Sequence, residues 1–187
     1  FGVFVPAGHC LIYFSNWWAP AEAAAAGPDC HDIPVQEQER LRLLRHAVQL
    51  AHDNRLRGGR PFGALLAREG QILSTGVNEI VQSHDPSAHA EMQALRAGTR
   101  AQANPSLAGC TIYASGHPCP MCLAALVMAG AEQVFFAFDN GDAQPYGLSS
   151  EGAYQRLRMP LQPPPLPLTR LDTGITAAQL YGNAPWA

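Results

Sequence analysis

Two short motifs, His89-Ala90-Glu91 and Pro118-Cys119-Pro120-Met121-Cys122, restrict most what this chain can fold into. One imidazole and two sulfurs are donors that zinc prefers, held in a tetrahedron at about 2.0–2.3 Å. For His89 to meet Cys119 and Cys122, the chain must double back and present both segments at adjoining ends of two elements. Each motif reads as a helix start. Ser87 is placed to cap the helix that carries His89 and Glu91. At the second helix, first-turn N–H groups and the helix dipole favour thiolate over thiol in Cys-x-x-Cys.

Three protein ligands are the number found where a metal does chemistry, because the fourth position stays open to water. Such a metal brings the pKa of its water from about 15.7 toward neutrality. Glu91 is the candidate proton shuttle, taking a proton from that water and delivering it to the substrate. A carboxyl with that task should be dehydrated, its pKa moved by burial and by the metal.

Each motif alone has other readings. Cys-x-x-Cys also serves as a redox pair or half of a structural zinc knuckle. A structural zinc would want a fourth ligand, for which Cys110 or His117 is available, and the chain would then be a zinc-stabilised binding module. His-x-Glu by itself arises by chance on many helices. Both motifs in this order favour the catalytic reading, and a structural zinc has no need of Glu91.

The rest of the chain reads as one domain with extensions: residues 1–34, then 35–187, proline-rich from about 160. Residues 1–34 hold an apolar stretch, Trp17-Trp18 and an alanine run from Ala23 to Ala26. They read as an extension rather than an export signal, having no basic leading region. With no run near the ~20 apolar residues of a membrane span, a cytoplasmic protein off the membrane is expected. Net charge is −3, all twelve basic residues are Arg, and five cysteines do not suggest a disulfide framework, so a general affinity for nucleic acid is not expected. Cys110 reads as a small buried residue in a strand.

Periodicity predicts a helix over 36–57, with Leu41, Leu44, Val48 and Ala51 on its apolar face. Two strands follow, 62–67 and 72–77, joined by a hairpin at Arg68-Glu69-Gly70. After the His89 helix come a strand at 110–115, a helix at 119–129 and an apolar strand at 133–138. An Asp/Asn/Gly loop, a helix near 150–158, a strand within 166–171 and a short helix at 175–182 complete the chain. The alternation predicts a three-layer α/β/α sandwich, its sheet mixed because the first two strands form a hairpin.

From about residue 40 to about 158 the chain resembles the cytidine-deaminase-like superfamily, within it the guanine deaminase and nucleobase/nucleoside deaminase branch. The resemblance rests on Gly59-Arg60-Pro61-Phe62-Gly63-Ala64, Asn78, Asp85-Pro86-Ser87-Ala88-His89-Ala90-Glu91, Pro118-Cys119-Pro120-Met121-Cys122 and Asp142-Ala143. It implies zinc on His89, Cys119 and Cys122, Glu91 as proton shuttle, and Asn78 in a hydrogen bond to a base. An amide offers both donor and acceptor to a purine edge, though Asn78 reads equally as a strand-end turn residue. Asp142 stands where similar guanine deaminases carry a second carboxylate, able to accept from the N–H groups of guanine; it also reads as a turn aspartate. Phe62 would pack on the face of the base, and it reads equally as core. The resemblance further implies a homodimer whose C-terminal segment crosses to the partner, where Tyr181 or Trp186 would close the site. His117 departs from relatives that carry Glu before Pro-Cys.

These features lead to zinc-dependent hydrolytic deamination of a small nucleobase, guanine first. Cytosine or a nucleoside is the alternative, because a pocket change of a few atoms shifts preference by only ~1–3 kcal/mol. A tRNA adenosine deaminase is less favoured: gripping an anticodon loop takes basic side chains, and Met159 to Ala187 hold one Arg, Arg170.

Overall fold

The computed structural model describes residues 35–160 and 162–182, all within the compact unit that starts at Ile33. The extension 1–34 and Trp186 lie outside the described residues. Helix α1 (Val35–Leu56) leads into strands β1 (Gly63–Arg68) and β2 (Gln71–Val77). Helices α2 (Ile80–Ser83) and α3 (Ala90–Gln102), strand β3 (Thr111–Gly116), helix α4 (Pro120–Met128) and strand β4 (Gln133–Phe138) follow. The rest comprises α5 (Asn140–Ala143), a 3-10 turn at Gln144–Tyr146, α6 (Glu151–Leu157), β5 (Leu168–Arg170) and α7 (Ala177–Tyr181).

The sheet order is β2-β1-β3-β4-β5. β1 is antiparallel to both β2 and β3, whereas β3, β4 and β5 run parallel. This is the expected mixed sheet of a three-layer α/β/α sandwich. β1, β3 and β4 are buried along nearly their whole length, as strands covered on both faces must be. β2, at the edge, keeps partly exposed residues throughout.

Side chains alternate between the two layers. Leu66, Ile112 and Val134 face a core with Leu123 and Leu126 of α4 and Tyr154 of α6. Leu65, Tyr113 and Phe135 face the α1 side, where the Tyr113 and Phe135 rings stack at 5.3 Å and Arg40 lies 5.1 Å over Phe135. Two glycines let the helices lie directly on the strands. A Cβ on Gly63 would sit 2.5 Å from the Ala47 carbonyl oxygen of α1, and one on Gly76 would overlap Ala90 O and Ala94 N of α3. That close approach sets the two layers at opposite faces of the β1–β2 hairpin.

Three expectations need correction. The buried face of α1 comprises Leu43, Leu44, Ala47, Val48 and Ala51, while Leu41 is only half-buried. A helix lying flat on a sheet buries two adjoining rows, not a single stripe. Ser87 does not cap α3: His89 itself holds the N-cap position, and the Ser87 hydroxyl donates to Asp85 Oδ1 at 2.7 Å. The stretch after β4 is no open loop, because Asp139 caps a helical turn that contains Asp142.

Candidate active site

The two metal-donor motifs meet as helix N-termini. His89 has extended φ/ψ of −73/156° at the start of α3, and Cys119 has −71/167° at the start of α4. Pro120 follows as the first helical residue, where its missing N–H costs nothing and its ring pre-sets φ. Cys119 Sγ lies 3.5 Å from His89 Nδ1 and 3.5 Å from Cys122 Sγ. All three donor atoms lie within 4.8 Å of one another. Tetrahedral zinc with its usual bond lengths would separate such donors by about 3.5–3.8 Å, so the triangle fits the ion. The other two ligand candidates are engaged elsewhere. Cys110 is fully buried beside Arg68, with Arg68 Nη2 3.3 Å from its sulfur, and His117 Nδ1 lies 2.9 Å from Pro118 O. The donor set among the described residues is therefore three, one short of a tetrahedron.

Glu91 sits in the first turn of α3 and is only 8% exposed. The Cys122 thiol donates to its Oε2 at 3.4 Å. Burial, and next the charge on Cys119, push the Glu91 carboxyl up to about 7. Cys119 goes the other way, down to about 4, first through its hydrogen bond with Cys122 and then because His89 lies beside it. Its sulfur is thus prepared as a thiolate. Cys122 is raised by its bond to Cys119 and by burial.

Asn78, just past β2, is 2% exposed. Its Oδ1 accepts from the Ile80 N–H at 3.2 Å, which fixes the amide orientation, and its Nδ2 makes no hydrogen bond among the described residues. The Glu79 N–H donates to Ala88 O at 2.9 Å, tying this strand end to the segment that carries His89. Phe62 is half-buried, its ring over Gly116 and 6.2 Å from Tyr181. Asp142 Oδ2 accepts from the Asp139 N–H at 2.9 Å and from Arg170 Nη2 at 2.7 Å. The carboxylate is thus anchored rather than a loose turn residue. Tyr181 is buried against Phe62, Phe138 and Tyr146.

Three residues in this region escaped the sequence reading. Tyr154 donates to Pro118 O at 2.6 Å, just before the Cys119 ligand. Arg170 bridges Asp139 and Asp142 at 2.6 and 2.7 Å. Asn54 donates to two carbonyls at the site's edge. None belongs to a local motif, and each reaches its partner only through the tertiary fold.

The model of the cytidine and deoxycytidylate deaminase zinc-binding region matches residues 37–138, and the chain belongs to that family. Over 126 residues it is 36% identical to a guanine deaminase of Bacillus subtilis (strain 168), across 67% of this chain and 81% of that enzyme. The crystal structure of a guanine deaminase from Bacillus subtilis superposes with a TM-score of 0.61 at 34% identity, covering 70% of this chain and 83% of that one. Over 95 residues the chain is also 40% identical to a tRNA-specific adenosine deaminase of Aquifex aeolicus, covering 51% of this chain and 63% of that enzyme. Within the cytidine-deaminase-like superfamily, this is a zinc-dependent deaminase of the guanine deaminase branch.

Proposed function

We propose that the protein hydrolyses guanine to xanthine and ammonia, with the catalytic domain spanning residues 35–187. The observation that carries the substrate choice is the match to a guanine deaminase over 81% of that enzyme, joined to a C-terminal segment almost without basic residues. The tRNA-specific relatives favour a second reading, adenosine within tRNA, but the match covers 63% of the Aquifex aeolicus enzyme.

His89, Cys119 and Cys122 hold the metal in this reading. Zinc bound there supplies Lewis acidity that makes water nucleophilic near neutral pH. Glu91 takes one proton from water as the water oxygen bonds to C2, and gives that proton to the ring nitrogen beside C2 of guanine. It then takes the remaining proton from the new C2 hydroxyl and delivers it to the amino group, which leaves as ammonia while C2 becomes a carbonyl. Water and guanine thereby become xanthine and ammonia, with Glu91 returned to its starting state. The Asn78 amide donates from Nδ2 to the base, Asp142 accepts from guanine N–H groups, and Phe62 packs on the ring face. Trp186 is retained as the candidate aromatic that closes the site.

A homodimer is part of the proposal, as is a cytoplasmic setting, where the Cys119 and Cys122 thiols stay reduced. No described helix is long and apolar enough to cross a membrane. The test is ammonia release by zinc-loaded protein from guanine, cytosine, adenine, guanosine, cytidine and an adenosine-containing anticodon stem-loop. Turnover of guanine above the rest is expected; preference for another substrate would overturn the assignment and leave the deaminase chemistry standing.

A further inference from the structure

Asn54, near the C-terminal end of α1, is 3% exposed and belongs to none of the motifs discussed above. Its Nδ2 donates to Arg60 O and to Asn78 O, both at 2.8 Å, so both amide hydrogens are used. Those two carbonyls belong to the two segments that carry the proposed base-binding side chains. The Phe62 N–H donates to Arg60 O at 2.8 Å, and the Asn78 N–H donates to Phe62 O at 3.0 Å, closing a ring of bonds through Asn54, Arg60, Phe62 and Asn78. Gly59 leaves the room for it: a Cβ there would come 2.5 Å from Asn54 Nδ2 and 2.7 Å from its Oδ1.

We infer that Asn54 is a positioning residue for substrate, clamping the Phe62 loop to the Asn78 strand end so that both meet the base in a fixed register. The inference rests on the reading that Asn78 and Phe62 bind the base. Among the described residues, Asn54 makes no hydrogen bond to the metal donors or to Glu91. Releasing the clamp therefore weakens the hold on substrate more than it slows the chemistry, and a misplacement near 1 Å is enough to matter.

The experiment compares wild type, Asn54→Ala, Gly59→Ala and Val48→Ala by guanine kinetics, zinc content and thermal unfolding. Val48→Ala is a fully buried truncation on the same helix that controls for lost stability alone. Asn54→Ala and Gly59→Ala are expected to raise KM for guanine about tenfold, with kcat within about threefold of wild type and zinc content unchanged. Val48→Ala is expected to keep the wild-type KM. Equal KM in all three variants, or loss of kcat and zinc in step with stability, would overturn the clamp. Should Asn54→Ala not fold, Gly59→Ala decides, since it displaces the amide without deleting it. If wild type turns over another base and not guanine, the substrate reading fails, and the same comparison on that base still tests Asn54.

Discussion

Replacing Glu91 with Gln tests the centre of the mechanism with almost no change in shape. The side chain is 8% exposed and its Oε2 accepts from the Cys122 thiol at 3.4 Å. Glutamine keeps the volume and can donate to a Cys122 thiolate, so fold and zinc content should survive. Protein stability should not fall, because burial opposes the charged carboxylate and an amide has no charge to desolvate. What disappears is the ability to take and give a proton. Positioned acid–base catalysis is worth about 10²–10⁴-fold per transfer. Glu91 is assigned two transfers in one cycle, and such effects do not add simply. A fall in kcat of about 10³–10⁴ follows, equivalent to about 4–5.5 kcal/mol of barrier. The assay is steady-state ammonia release with zinc measured on the same sample. Turnover above about a tenth of wild type, with full zinc, would refute the assignment of Glu91.

Cys119→Ser, or exhaustive chelation of wild type, should remove zinc, abolish turnover and lower the melting temperature, with zinc restoring the chelated protein but not the variant. Gly76→Ala forces a methyl into the backbone of Ala90 and Ala94, so α3 must shift; a loss of about 1–3 kcal/mol or more is expected in urea unfolding. Asp142→Ala removes its half of the capping box with Asp139 and one of the two carboxylate partners of Arg170; it should cost about 1 kcal/mol of stability and lower kcat/KM for guanine without loss of zinc. His46 and His52 on α1 are both depressed, chiefly by burial. At these two sites the unfolded chain binds protons that the native state refuses, so their own contribution to stability should fall as pH drops through about 6.5. His52→Gln should flatten that slope in melting curves between pH 5.5 and 7.5.

The metal donors, their placement at two helix starts, and Glu91 beside them were legible because each is a local pattern with its own chemistry. Element types were legible for a similar reason: β4 was expected at 133–138 and is found at Gln133–Phe138, since a short apolar run with clear boundaries states its own limits. Local pattern failed where two residues compete for one position, as when His89 rather than Ser87 takes the N-cap of α3 because Ser87 is drawn to Asp85. It failed again where the burial surface is broad, as with Leu43 and Ala47 on α1. The sequence alone determined which atoms could hold a metal and carry a proton. Only the tertiary structure decided the strand order and the anchoring of Asp142 by Arg170 from β5. It also brought Asn54 within 2.8 Å of both Arg60 and Asn78. The physical reason is that these are single hydrogen bonds and ion pairs between distant segments, formed only after the sheet and its two helical layers have brought the partners together.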